Sequence, residues 1–168
     1  KNGDLDVAYV AHFGELHADG LECEFIKKRR LLLSVGSSHP AVSRASINST
    51  ERYPKIALSE FKSDKFAISS KILKSESNFK KIFENAGFTP QIFCDTSYLY
   101  VANAMVAAGL CVSFSFARYI FETQKDYITL FDVADEPLLD VSFSVVYKKP
   151  SKLAKEFIKM IKAGKSGE

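Results

Sequence analysis

Apolar residues recur along this chain in two periods. Val7-Ala8-Tyr9-Val10 and Leu31-Leu32-Leu33-Ser34-Val35 are short apolar runs bounded by turn residues, and both read as strands. Gly36-Ser37-Ser38-His39-Pro40 stops the second, because a proline biases the residue before it towards extended backbone. Residues 41–65 are the least periodic part, with a short helix expected around Ile56 to Phe61. Phe66-Ala67-Ile68 reads as a strand and Ser69-Ser70-Lys71 as the loop after it. Phe79, Ile82, Phe83 and Ala86 then fall at i, i+3, i+4 and i+7, one face of a helix. Gly87 supplies its left-handed stop and Pro90 lies just beyond.

The alternation continues to the end. Gln91-Ile92-Phe93-Cys94 is a strand, and Asp95-Thr96-Ser97 offers N-cap oxygens to a helix carrying Leu99, Ala102, Met105 and Val106 on one face, which Gly109 ends. Leu110 to Phe114, Asp126 to Phe131 and Val141 to Tyr147 read as strands, with a short helix over Phe116 to Phe121. Pro150-Ser151 opens a last helix whose apolar face is Leu153, Phe157, Ile158 and Ile161. Strands that alternate with helices through short connections predict an α/β fold with mainly parallel sheets.

Composition narrows the function classes. In 168 residues, 46% are apolar and 26% charged, as in an ordinary soluble globular chain, and 14 Phe against no Trp predict a Phe-rich core. A formal net charge of +3 is too weak a basic footprint for nucleic-acid binding by this segment itself. The densest basic run, Lys27-Lys28-Arg29-Arg30, reads as a solvated loop or strand entrance, with Arg30 alone placed to meet an anion. Three cysteines without a CxxC fit buried free thiols and a reducing compartment, so a cytoplasmic location is expected. No apolar run approaches the roughly 18 residues of a membrane span. His12, His17 and His39 lack zinc spacing, no nucleophile, nucleotide or phosphate-loop motif occurs, and no metal or cofactor is expected. The chain opens at Lys1-Asn2-Gly3 without methionine, as a piece of a longer protein would.

Five motifs carry a resemblance. Gly3-Asp4-Leu5-Asp6-Val7-Ala8, then Leu31 to Pro40 with its His-Pro end, then Phe83-Glu84-Asn85-Ala86-Gly87-Phe88-Thr89-Pro90, then Val106-Ala107-Ala108-Gly109-Leu110-Cys111-Val112, and last Val145-Val146-Tyr147-Lys148-Lys149 with Leu153 and Phe157, stand in the order found in the sensor domains of LysR-type bacterial transcription regulators. The chain resembles that family over nearly its whole length. It departs from the pattern at Cys111, where the family has a second glycine, and at Ser115-Phe116, where it has Leu-Pro. The βαβα stretch that opens the family's sensor domain is also missing.

The resemblance implies a two-lobe fold like that of type 2 periplasmic binding proteins, with residues 1–40 and 137–168 in lobe I, 41–136 in lobe II, and an effector held in a cleft between them. It implies a non-enzymatic regulator whose partners are a small-molecule effector, DNA through a separate helix-turn-helix domain, and further copies in a homodimer or homotetramer. A stand-alone solute-binding protein or a small α/β enzyme is the alternative on the same layout. Ligands of open α/β sheets gather at the carboxyl ends of strands, and helix N-termini there favour anions. Independently of the family, that rule selects Ala11, His12 and Phe13 after the first strand, Ser69, Ser70 and Lys71 after the Phe66 strand, and Thr96, Ser97 and Tyr98 after the Gln91 strand. Thr96 and Ser97 lead, with plain N-capping as the other role open to their hydroxyls. Arg30 and Pro90 match positions near the family's cleft or hinge.

Overall fold

The computed structural model describes residues 5–45, 51–68, 78–134 and 136–163. The chain divides into two compact units, Lys1–Arg30 with Asp140–Glu168, and Leu31–Leu139. The division falls at Arg30/Leu31 rather than near Pro40. Every residue of the strand Leu32–Gly36 is buried, and the strand pairs on both sides inside the second unit. The turn Pro137–Leu139 also stays there, its Leu139 carbonyl accepting from Leu31 N at 3.0 Å.

The first unit is a three-stranded antiparallel sheet and one helix. β9 (Asp140–Tyr147) runs between β1 (Val7–His12) and β2 (Glu22–Arg30). Alternation along β9 sends Val145 and Tyr147 to one face, where Val7, Ile26 and the helical residues Ile158 and Ile161 meet them. β2 was not foreseen as a strand, because its second half is the run Lys27 to Arg30 and no apolar alternation survives there. A bulge between Phe25 and Lys27 turns Ile26 into the core and leaves Phe25 outside. The C-terminal helix, Lys152–Ala163, is capped by Ser151, whose Oγ accepts from Ala154 N at 3.2 Å. Its sheet-facing stripe is Ala154, Ile158 and Ile161, so Leu153 and Phe157, expected inward, lie one helical step to the side and stay exposed.

The second unit holds a mixed sheet in the order β4-β8-β3-β7, made of β3 (Leu32–Gly36), β4 (Lys55–Ile56), β7 (Ser113–Ser115) and β8 (Ile128–Val133). β3 is antiparallel to both neighbours and β4 parallel to β8. β5 (Lys65–Ala67) and β6 (Gln91–Cys94) pair in parallel, and a parallel bridge from Phe66 to Val112 joins β5 to the strand entering β7. The sheets are therefore mixed rather than mainly parallel: β1, β2 and β3 all pair antiparallel, and the parallel pairings among the described residues are β4 with β8, β5 with β6 and the Phe66–Val112 bridge. The two helices expected here are present, α1 (Asn78–Asn85) and α2 (Leu99–Ala107), followed by Gly87 and Gly109 at φ 77° and 71°. The helices expected over Ile56–Phe61 and Phe116–Phe121 shrink to 3-10 turns at Leu58–Phe61, Ala117–Tyr119 and Glu122–Gln124.

The core of this unit is built on phenylalanine. Phe66 and Phe83 meet edge to face at 5.1 Å between ring centres, Phe83 and Phe88 at 5.3 Å, and Phe79 and Phe114 at 5.3 Å. One amide is buried among the apolar groups. Asn103 on α2 is fully buried, donates from Nδ2 to Ser115 Oγ and to the Tyr119 carbonyl at 3.0 Å each, and receives Ser34 Oγ–H at 3.4 Å. Replacing it leaves the buried Ser34 hydroxyl without this acceptor and removes the bonds to Ser115 Oγ and the Tyr119 carbonyl, a cost of about 2–4 kcal/mol. Asn103→Ala should therefore lower the urea midpoint by that equivalent, whereas Ala104→Ser on the exposed side of the helix should leave it within about 0.5 kcal/mol.

Burial, with Cys94 close by, pushes the Cys111 thiol up to about 11, while Cys23 is exposed. A raised thiol stays protonated and unreactive at pH 8. Iodoacetamide at that pH should label Cys23 first and reach Cys111 only on unfolding; equal rates at the two positions would show that Cys111 is not shielded.

Candidate functional site

β5, β6 and the Val112–Ser115 strand point the same way, so their carboxyl ends gather along one edge of the second unit. The segment Asp95 to Tyr98 leaves β6 at that edge and turns into α2. Thr96 Oγ1 accepts from Tyr98 N at 3.1 Å, closing the turn. The residue that caps α2 is Tyr98, extended at φ −94° and ψ 107°, and no side chain bonds to the helix start. Its carbonyl accepts from Val101 N and Ala102 N at 3.1 Å each. Neither expected hydroxyl caps α2: the oxygen of Thr96 is engaged in the turn, and Ser97 is exposed with no hydrogen-bond partner among the described residues. The start of α2 thus presents backbone N–H groups and the partial positive charge of the helix, with no acidic residue in its first turn. Geometry of this kind accepts an anion.

Two residues at the same edge were missed in the sequence. Phe116 follows the carboxyl end of β7 directly, half-buried, its ring 6.0 Å from Tyr119, and Arg118 lies over the Tyr119 ring at 5.9 Å. The available signal was Arg118 itself, the first charged residue after Asp95.

The other candidates fall elsewhere. Ser69, Ser70 and Lys71 lie outside the described residues. Pro90 is buried at the amino end of β6, with roughly 13 Å of strand between it and the Thr96 turn, so the two cannot share contacts with one small ligand. In the first unit, His12 ends β1 with Nδ1 3.0 Å from the Gly14 carbonyl and Nε2 2.9 Å from Ser144 Oγ. A carbonyl only accepts, so Nδ1 carries the proton and Nε2 receives that of Ser144. Ala11 beside it is exposed and Phe13 half-buried. Arg30 ends β2 opposite Asp140, its register partner, with Nη1 3.5 Å from Oδ1; Lys28 reaches the other oxygen of Asp140 at 3.2 Å. A carboxylate of the same unit already answers both cations.

A concavity lies at the opposite, amino-terminal edge of β5 and β7. It encloses about 460 Å³ between Lys65, Asp64, His39 and the Gly109–Val112 segment. His39 is fixed there from both nitrogens: Nδ1 accepts from Ala41 N at 3.1 Å, so Nε2 carries the proton and donates to Asp64 at 3.0 Å, and the ring stacks on Phe61 at 5.4 Å. The His-Pro pair thus acts structurally, starting the 3-10 turn Pro40–Arg44. No group of three or more His, Cys, Asp or Glu among the described residues is placed to hold a metal ion, and no helix among them is long and apolar enough to cross a membrane.

No protein-family model matches this chain, and no curated protein does. Solved structures do. The regulatory domain of CcmR from Synechocystis PCC6803, in complex with 2-PG, superposes with a TM-score of 0.75 at 14% identity, over 99% of this chain and 76% of that one. HinK, a LysR family transcriptional regulator from Pseudomonas aeruginosa, matches with a TM-score of 0.71 at 18% identity, over 96% of this chain and 53% of its own. The effector binding domain of BenM with its effector benzoate gives 0.66 at 18% identity, over 100% of this chain and 75% of that domain. The chain thus spans about half the length of HinK. It has the periplasmic-binding-protein-like fold of LysR-family effector-binding domains.

Proposed function

We propose that this chain is the effector-binding part of a LysR-type transcription regulator and that it binds a small anionic molecule. The observation that carries the reading is the fold match along the whole chain to domains solved with small molecules bound, 2-PG in one case and benzoate in another. The local geometry supports it: α2 begins after a strand with no side-chain cap, beside the ring of Tyr98 and the hydroxyl of Ser97, which has no partner among the described residues. Effector contacts come from Thr96, Ser97 and Tyr98, with Phe116 and Arg118 at the same edge. Ser69, Ser70 and Lys71, next in sequence after the Phe66 strand, join the candidate set. The unit containing β1, β2 and β9 corresponds to lobe I and the Leu31–Leu139 unit to lobe II. DNA is contacted through a separate domain, the regulator works in the cytoplasm as a homodimer or homotetramer, and the chain turns over no substrate. His12, whose nitrogens are engaged by Gly14 and Ser144, orders the end of β1 rather than serving as a base.

A ligand that binds only the folded state raises its stability by about 2.7 kcal/mol at a hundred times Kd. A thermal-shift and calorimetric screen of benzoate and other small carboxylates and phosphates should give a saturable shift for one chemical class. Ser97→Ala should weaken that ligand several-fold, the worth of one hydrogen bond, and more than Ser70→Ala does. A flat response to every anion would reject the reading, and an affinity indifferent to Ser97→Ala would remove Ser97 from the site.

A further inference from the structure

The concavity beside His39 and Asp64 has no part in the effector site proposed above. It lies wholly within the second unit, at the edge away from the Thr96 turn. Its volume of about 460 Å³ falls in the range of small-molecule sites.

Three groups in its wall have polar capacity that the protein does not use. The first is Asp64. Its Oδ1 accepts from His39 Nε2 at 3.0 Å, and the other nitrogen of that ring accepts from Ala41 N, so the imidazole holds one proton and no charge. The ring thus fixes the carboxylate without neutralising it, and Asp64 Oδ2 has no partner among the described residues. At 27% exposure this side chain is held mostly out of water. The second group is Lys65, whose ammonium lies 5.8 Å over the Phe93 ring and meets no carboxylate among the described residues. The third is the backbone of Cys111. On either side of it, Leu110 N donates to the Met105 carbonyl at 3.1 Å and Val112 N to the Lys65 carbonyl at 2.9 Å, while Cys111 N has no acceptor among the described residues. Cys111 is only 8% exposed, and buried N–H groups are almost always paired.

The signs of these groups select the ligand. A simple anion answers Lys65 and Cys111 N but meets the charge of Asp64. It also meets the partial negative charge at the end of α2, whose last turn stands against this wall: a Cβ added at Gly36 would lie 3.1 Å from the Val106 carbonyl oxygen. A simple cation answers Asp64 and meets Lys65. A molecule with both charges satisfies all of them.

We propose that this concavity is a second small-molecule site and that it takes a compact zwitterion of the α-amino acid class. The carboxylate bonds to Lys65 and Cys111 N, and the ammonium to Asp64 Oδ2. Pro40, Leu110 and Val112 line the rest of the wall and suit a small side chain.

Amide NMR of the whole chain tests this. Titration with L-alanine, L-serine, L-leucine and L-glutamine should move the Asp64 and Cys111 amide signals saturably, at millimolar concentration, for at least one of the four. The N-acetyl derivative and the primary amide of that amino acid each lack one charge, and should bind at least tenfold more weakly. Asp64→Asn keeps an oxygen for His39, and Lys65→Met changes an exposed position. Each should weaken binding at least tenfold with the melting temperature unchanged. The proposal is overturned if none of the four moves these signals, if either derivative binds as tightly as its parent, or if either substitution leaves the affinity unchanged. Signals that move only at Thr96 to Leu99 also overturn it, because the ligand would then occupy the effector site.

Discussion

A single buried amide fixes the geometry of the second unit. Apolar packing between a helix and a sheet has no direction: Ala102 and Val106 would be equally buried if α2 slid or rolled slightly over its sheet. Asn103 has no such freedom. Its oxygen faces Ser34 of β3, and its nitrogen bonds both Ser115 of β7 and the Tyr119 carbonyl. Ser34, Asn103 and Ser115 are all buried, and any displacement of α2 strains all three bonds at once. The amide therefore sets the roll of α2, and with it the position of the Thr96 turn and of Tyr100. It also holds the corner after β7. There Ser115-Phe116 replaces the Leu-Pro of the resembling family, and Ser115 Oγ and the Tyr119 carbonyl, both bonded to Asn103, take over what a proline ring would do by stiffening the backbone.

The elements that could be read from the sequence are those whose burial is periodic and local. Phe79, Ile82 and Phe83 lie on one turn-spaced stripe closed by Gly87, and α1 follows. β3 is buried at every position, and an apolar run broken only by Ser34 announces it. β2 was hidden because its partners sit more than a hundred residues away. Lys28 and Arg30 look like solvated cations until Asp140 stands opposite them in the register. The direction of pairing is invisible for the same reason, since alternating strands and helices suggest parallel neighbours unless a distant strand such as β9 inserts between β1 and β2.

The candidate site was legible to the same depth. That a helix start follows β6 comes from strand, polar turn and apolar helix in sequence. Which oxygen does what does not, because the bond from Tyr98 N to Thr96 Oγ1 depends on the dihedral angles of the turn. Pro90 and Thr96 are near in sequence, and only the strand between them reveals that they mark opposite ends. His12 offered an imidazole to a ligand on paper, yet Ser144, 132 residues on, claims one of its nitrogens.

The stretch from Thr96 to Ala117 carries no charged side chain. A carboxylate in the first turn of α2 would cap the helix and offset its partial positive charge, and none stands there. The neutral amide of Asn103 anchors the helix without adding a charge of its own. A buried ion pair in its place would carry a desolvation cost and put a charge beneath the helix start. With a neutral anchor, the field at the amino end of α2 comes from the backbone and from Arg118 and Asp95 at the borders of the stretch.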